Sequence, residues 1–430
     1  MISTKDNINI YRIIVGIYSF ILLFYFIISL IPFYINSFKI LIFFSAILIL
    51  FFFINLYNIK IDFIYDIKNL IIIFLAFVYL IISFSFSKDI KLFLKTYVTI
   101  FISFLYCQLC IQKFGKIFIY TFLKQLCIFL NIAAVLNLYQ IFFHVPYIYN
   151  INIIKHVGML GTNNYRPCSV FSHPIIWAFF IVVCLVMNRI FIKKKYYYFL
   201  QVFLLINLYF TKSRSIWIAF VLTIVIYILV NGKNLLVSFF HKKRPAFLYI
   251  YFAFLAAALL IYMVKFGSTL IFDIASRFGD SLSLSSTDVS NLQRVGTLNY
   301  GINYLLNLNN YKILLFGNGM GFSKIFMMEH PVIIKDFTTT DNMYLTIILD
   351  FGILMFALVC IFFILNLKRI IKKDSNNDVY LSSCYLVFVN MISIFFFENI
   401  GWTSIDVFLG VLLSILVLKK DYFDQEVQGG

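Results

Sequence analysis

HPIIWAFFIVVCLVMNRIFIKKK, His173 to Lys195, decides the fold class. From Pro174 to Ile192 it carries a single charge, Arg189. That is close to the ~20 apolar residues a helix needs to cross a bilayer. A histidine and a proline stand at its foot, and Lys193, Lys194 and Lys195 follow it. The stretch reads as a membrane span with a polar entrance and a basic exit.

The rest of the chain repeats this pattern. Its 430 residues are 63% hydrophobic, 20% aromatic and only 12% charged, whereas soluble domains are roughly half apolar and a quarter charged. Hydropathy marks about twelve spans, near 10–32, 38–57, 67–86, 94–112, 117–143, 174–192, 196–210, 214–231, 246–266, 342–366, 379–397 and 404–418. The expected fold is all-α: a polytopic integral membrane protein forming a single transmembrane domain over residues 1–430. Its long extracytoplasmic loop, 267–341, lies between spans nine and ten. The first apolar run starts near Ile10 without a small-residue cleavage site, so it reads as a retained span.

The net charge of +17 does not point to nucleic acid, because the lysines and arginines are scattered through short loops. They read instead as topology signals. Basic residues follow spans six (Arg189, Lys193), eight (Lys242, Lys243, Arg244), ten (Lys368, Arg369, Lys372, Lys373) and twelve (Lys419, Lys420). These even-numbered exits and both termini should be cytoplasmic. Six of the seven cysteines fall in apolar segments, and the spacing suits neither a disulfide framework nor a metal site.

The opposite face then carries three unusual connections: residues 144–173, the tight turn Thr211–Ser213, and 267–341. Loops of that length are uncommon without a function. Trp177, Trp217 and Trp402 fall at the same face and read first as an interfacial aromatic belt, Trp402 above all. From Asp288 to Leu306 the long segment has helical periodicity. Leu292, Val295, Leu298, Ile302, Leu305 and Leu306 form its apolar stripe, while Arg294, Thr297, Gly301 and Tyr304 form another face. The pattern predicts a helix lying against the bundle or membrane that presents Arg294 to a cavity.

Several chemistries lack their residues. The sequence has no Asp-x-Asp pair for a metal and nucleotide sugar, no phosphate loop, no HExxH helix and no acid in the loop near 35–39. Gly317–Gly321, GNGMG, lacks a dinucleotide-binding context and reads as a turn using positive φ. No metal or cofactor is expected.

What remains is a set of polar groups at the outer face: Arg166 and His173, Lys212 and Arg214, Arg294, and Asp341 with Asn342. Guanidinium groups bind phosphate in a forked, charge-assisted way, best where water is scarce. Together they suggest a site for a lipid-linked phosphate or diphosphate. Singly, each has an ordinary reading. Arg214 can snorkel at a helix end, Arg166 and Lys212 can be plain loop cations, and His173 can shape the start of span six. Asp341 alone reads best as an N-cap.

Four motifs occur in a telling order: RPCSVFSHPIIWA, TKSRSIWIAF, Arg294 ahead of LFGNGMGFS, and DNMYLTIILDFGIL. In order and spacing they resemble the O-antigen ligase/polymerase family, over roughly the C-terminal two-thirds of the chain. The resemblance implies a glycosyltransferase C-like membrane enzyme working at the outer face of the bacterial cytoplasmic membrane, inverting and metal-independent. It implies an undecaprenyl-diphosphate-linked oligosaccharide as substrate and a polysaccharide chain-length regulator as partner. On that template Arg214 and Arg294 hold the diphosphate, Arg166, His173, Lys212 and Asn342 line the pocket, and Asp341 orients or deprotonates the acceptor hydroxyl. Family ligases resemble HN at the foot of this helix, where this chain has Asp341–Asn342. The difference favours a Wzy-type polymerase over a ligase acting on lipid A core. A flippase for lipid-linked oligosaccharide is the reading from another class. The lack of an internal repeat and the gathering of polar groups on one face speak against it.

Overall fold

The computed structural model describes residues 4–30, 65–143, 165–241, 289–333, 337–373, 377–398 and 401–424. They form helices α1 (Thr4–Leu30), α2 (Ile67–Phe84), α3 (Ile90–Phe93), α4 (Thr99–Phe114), α5 (Lys116–Phe143), α6 (Pro174–Phe191), α7 (Lys194–Phe210) and α8 (Arg214–His241). After these come α9 (Val289–Leu306), α10 (Tyr311–Phe316), α11 (Phe322–Glu329), α12 (Met343–Lys372), α13 (Asp378–Ser393), α14 (Thr403–Leu416) and α15 (Lys420–Asp424). Among the described residues there is no β-strand, only an isolated bridge between Tyr65 and Leu418.

The chain is a polytopic helical membrane protein. Among the described residues seven helical stretches are long and apolar enough to cross a bilayer: 10–29, 67–84, 90–114, 116–143, 174–191, 214–231 and 343–372. α13 and α14 are apolar but shorter. The spans expected at 38–57 and 246–266 lie outside the described residues. Every other expected span coincides with a helix.

One core joins α1, α4, α5, α6, α13 and α14, with Trp177, Phe179, Phe180 and Phe408 at its centre. Helices α4 and α14 approach each other closely. A Cβ on Gly410 would sit 2.0 Å from Ser103 Oγ and 2.5 Å from the Ile100 carbonyl. Small residues permit such contact between membrane helices, where packing rather than water exclusion drives association.

Helix ends sort into two sets. At one end Arg369 pairs with Asp66, Asp66 N donates to Val417 O at 2.6 Å, and Asn377 Nδ2 donates to Phe423 O at 3.1 Å. At the other, Thr403 Oγ1 donates to Ser29 O at 2.8 Å and Lys88 N to Met320 O at 2.8 Å. This second end holds the residues singled out from sequence.

Two local features shape it. Helix α12 breaks at Gly352 (φ 76°, ψ 179°), a conformation glycine adopts without a Cβ clash. The break sets Met343–Phe351 off as a separate helical segment. Beside it, the Asp350 carboxylate accepts from Gly321 N at 3.0 Å and Ser323 N at 2.7 Å. It thereby fixes the GNGMG turn, whose Gly317, Gly319 and Gly321 all have positive φ as expected.

Candidate functional site

Three segments build the site from local rules. His173 is the N-cap of α6, with Pro174 at the first helical position. That is the place where a missing N–H costs nothing. The His173 Nδ1 accepts from Ile175 N at 3.2 Å, so its ring is committed to starting the helix. Its face stacks on Phe397 at 5.4 Å and 15° and leans on Trp402 at 5.5 Å.

The second segment is the α7–α8 turn. Lys212 takes a left-handed backbone (φ 50°), and Arg214 is the first residue of α8. A helix N-terminus already presents partial positive charge and free N–H groups. Two cations there cost stability but suit an anion. Arg166 Nε donates to the Thr211 carbonyl at 2.9 Å, which draws the segment before α6 onto this turn.

The third segment runs from α9 to the foot of α12. The expected helix is present as α9, and the face carrying Thr297 and Gly301 is the one that meets the bundle. Gln293 and Thr297 are buried, and Gly301 sits against Leu345 so closely that a Cβ would meet it at 2.7 Å. Leu298, Tyr304 and Leu305 join Phe326, Leu345 and Leu349 in a small cluster. Leu292, Ile302 and Leu306 of the expected apolar stripe are exposed instead. The small Thr and Gly side chains allow close approach to α12, and that steric fit outweighs the polarity of the face.

This docking brings Arg294 Nε to 3.4 Å from Asp341 Oδ2. Asp341 also accepts from Thr339 Oγ1 at 3.3 Å. Its backbone is left-handed (φ 53°), a conformation Asp tolerates better than most residues. The N-cap of α12 is Asn342, whose Oδ1 accepts from Leu345 N at 3.1 Å. The capping role weighed for Asp341 therefore belongs to its neighbour. Asn342 is buried and its side-chain oxygen is used in the cap. Burial pushes the Asp341 carboxyl above the usual carboxylate range, with Arg294 and the Thr339 hydroxyl pulling the other way.

Sequence reasoning missed Glu398. Its Oε1 lies 2.6 Å from Thr340 N, from Thr340 Oγ1 and from Thr346 Oγ1. Burial raises this carboxyl too, opposed by the threonine hydrogen bonds and reinforced by the charge of Asp341 nearby. The chain has only 18 acidic residues, so a carboxylate at the end of an apolar helix was a usable signal. The same holds for Asp350 and Asp406, both buried near this end.

The tryptophans part company. Trp177 is fully buried and stacks on Phe171 at 5.1 Å, so it is a core residue and not a belt residue. Trp402 is partly buried, its indole donating to the Glu398 carbonyl at 3.1 Å. Below the foot of α12 lies an apolar cavity of about 160 Å³, lined by residues that include Tyr97, Ile100, Met343, Ile347, Phe351 and Ile394. Among the described residues no cluster of His, Cys, Asp and Glu is arranged to hold a metal, and all seven cysteines are free.

The structure thus joins Arg166 to the turn that carries Lys212 and Arg214, and Arg294 to Asp341. The His173–Phe397 stack and the adjoining Glu398 link α6 to the foot of α12. No curated protein matches the chain. Residues 199–360 match the family model described as O-antigen ligase, a segment running from α7 through the break in α12 that includes Lys212, Arg214, Arg294, Asp341 and Asn342. That segment is similar to the O-antigen ligase family, whose members are glycosyltransferase-like enzymes.

Proposed function

We propose that this protein is a polysaccharide polymerase. It would transfer a glycan from a lipid diphosphate carrier onto the next lipid-linked repeat unit at the outer face of the cytoplasmic membrane. The observation that carries the reading is the contact between Arg294 and Asp341 at the foot of α12, which sets a cation for the leaving diphosphate beside a base for the acceptor.

In the reaction an acceptor sugar hydroxyl attacks the anomeric carbon of the donor glycan. The bond from that carbon to the diphosphate oxygen breaks, and its electron pair stays on the diphosphate. Arg294 and Arg214 stabilise the growing negative charge, and Asp341 takes the hydroxyl proton. A carboxyl with a raised pKa is a better base than an exposed aspartate, because its pKa lies closer to working pH. When the diphosphate engages Arg294, the carboxylate loses its partner and becomes more basic, so donor binding readies the base. The apolar cavity beneath supplies a hydrocarbon surface of the kind a polyprenyl chain requires. The energy comes from the glycosyl diphosphate itself, so no nucleotide is needed outside the cell.

The family description, O-antigen ligase, favours a second reading in which the acceptor is lipid A core. Purified protein incubated with undecaprenyl-diphosphate-linked repeat units separates the two. A ladder of longer chains is expected for the polymerase. Transfer to lipid A core without any ladder would overturn it in favour of the ligase.

A further inference from the structure

We infer that Glu398 is a positioning residue of this site, holding the Thr339–Asn342 turn so that Asp341 projects from its left-handed backbone beside Arg294. The inference rests on the assignment of Asp341 as base and concerns the group that sets its geometry and strength.

Glu398 is placed to do this because one oxygen gathers three contacts from two elements. Thr340 contributes its N–H and hydroxyl, and Thr346 its hydroxyl from the first turn of α12, each at 2.6 Å. The two threonine hydroxyls also lie 2.7 Å from each other, and Asn342 N donates to Thr340 Oγ1 at 3.2 Å. Asp341 is the residue between these anchored neighbours. Its positive φ is a cost that only a constrained turn sustains. The other side of Glu398 is equally fixed. Its carbonyl accepts from the Trp402 indole, and the preceding Phe397 stacks on His173. Met343 N donates to Ile394 O at 2.8 Å, so the ends of α12 and α13 are pinned together. Glu398 therefore ties the foot of α6 to the foot of α12 through one short segment.

A glutamine would keep much of this bracing, since its carbonyl oxygen also accepts. What the carboxylate adds is charge. The titratable groups facing Glu398 are Asp341 on the turn and Asp350 further along α12. Arg294 stands beyond Asp341 on α9, and His173 touches Phe397. The repulsion by which the Asp341 charge raises Glu398 acts in return, so an ionised Glu398 disfavours ionisation of Asp341 and strengthens it as a base. A neutral brace would leave Asp341 weaker.

The test is the pH profile of chain extension by Glu398→Gln in the purified full-length protein, with thermal stability measured alongside. Near-normal stability, a several-fold lower plateau and an acid limb moved down by on the order of half to one pH unit are expected. Unchanged limb and plateau in a stable protein would overturn the proposal and leave Glu398 as ordinary buried scaffolding. Thr346→Val serves where Glu398→Gln does not accumulate. It removes one donor from the carboxylate, so the limb should move the same way by a smaller step, and an unmoved limb overturns the proposal equally. Asp341→Asn is run in parallel. If it retains full activity, the base assignment itself fails, whereas an inactive Asp341→Asn with an unmoved Glu398→Gln profile refutes only the role of Glu398.

Discussion

Arg294 Nε and Asp341 Oδ2 are 3.4 Å apart, although 46 residues separate them in sequence and they belong to different helical segments. The pair is half-sheltered, with the two side chains 27% and 17% exposed. An ion pair in such a place does little for stability once desolvation is counted. In the proposed reaction its value lies in bringing a cation and a base to one point. Replacing Arg294 with Ala should therefore lower chain extension by about 10²–10³-fold, the usual cost of losing one group that stabilises a charged leaving atom. Arg294→Lys should restore only part of it, because a single ammonium cannot fork across two phosphate oxygens. Protein abundance in membranes should stay near normal in both. Activity within a few-fold of the parent in Arg294→Ala would remove the residue from the reaction.

The same pair fixes a pH dependence. Burial raises the Asp341 carboxyl and Arg294 holds it back down. Asp341 must be ionised to accept a proton, so the rate should fall as pH drops through its raised pKa. Taking away the cation favours the neutral acid further. In Arg294→Gln, residual activity should therefore show its acid limb at higher pH than the parent, opposite in direction to Glu398→Gln. A limb that stays in place in Arg294→Gln would show that another group titrates.

Asp341 and Asn342 offer a clean separation of chemistry from folding. Asn tolerates a left-handed backbone as Asp does, so Asp341→Asn should keep the turn and the thermal midpoint while losing most of the activity. Asn342→Ala removes the α12 cap and should cost about 1 kcal/mol of stability. Its activity should drop less than that of Asp341→Asn. Thermal unfolding in detergent together with the ladder assay checks both halves, and the reverse ordering of activities would move the acceptor role from Asp341 to Asn342.

How much of this was legible beforehand depended on range. Hydropathy marks a span from a window of residues, so α6 and α8 read directly, as did the helix at Val289–Leu306. The order of the motifs singled out the residues proposed for the site. The way α9 sits did not read, because Gly301 against Leu345 is a steric fit between segments that no periodicity reports. The role of Glu398 was hidden for a related reason. In FFFENIGW its rarity as an acid is a signal, but its meaning comes from Thr340 and Thr346, more than 50 residues away. Trp177 misled in the other direction. An aromatic near the start of a span suggests the interface, yet the helix is enclosed by its neighbours and Trp177 lies in the core.

The α4–α14 contact gives a prediction about the scaffold rather than the chemistry. Gly410 faces Ser103 and the Ile100 carbonyl at distances no Cβ can share. Gly410→Ala must push the two helices apart or bend one of them, at about 1–3 kcal/mol for overpacking. Helix α14 begins just after Trp402, which hydrogen-bonds the Glu398 carbonyl, so displacement there should also disturb the site end. Gly410→Ala should thus lower the thermal midpoint and reduce activity together. Ser103→Ala, by contrast, deletes the nearest clashing atom and should leave the parent glycine's stability close to unchanged. In the double variant Gly410→Ala/Ser103→Ala, part of the lost stability should return, because a clash relieved on either side relieves the same contact. Purely additive losses, measured by thermal unfolding, would show that the two helices do not meet at this point.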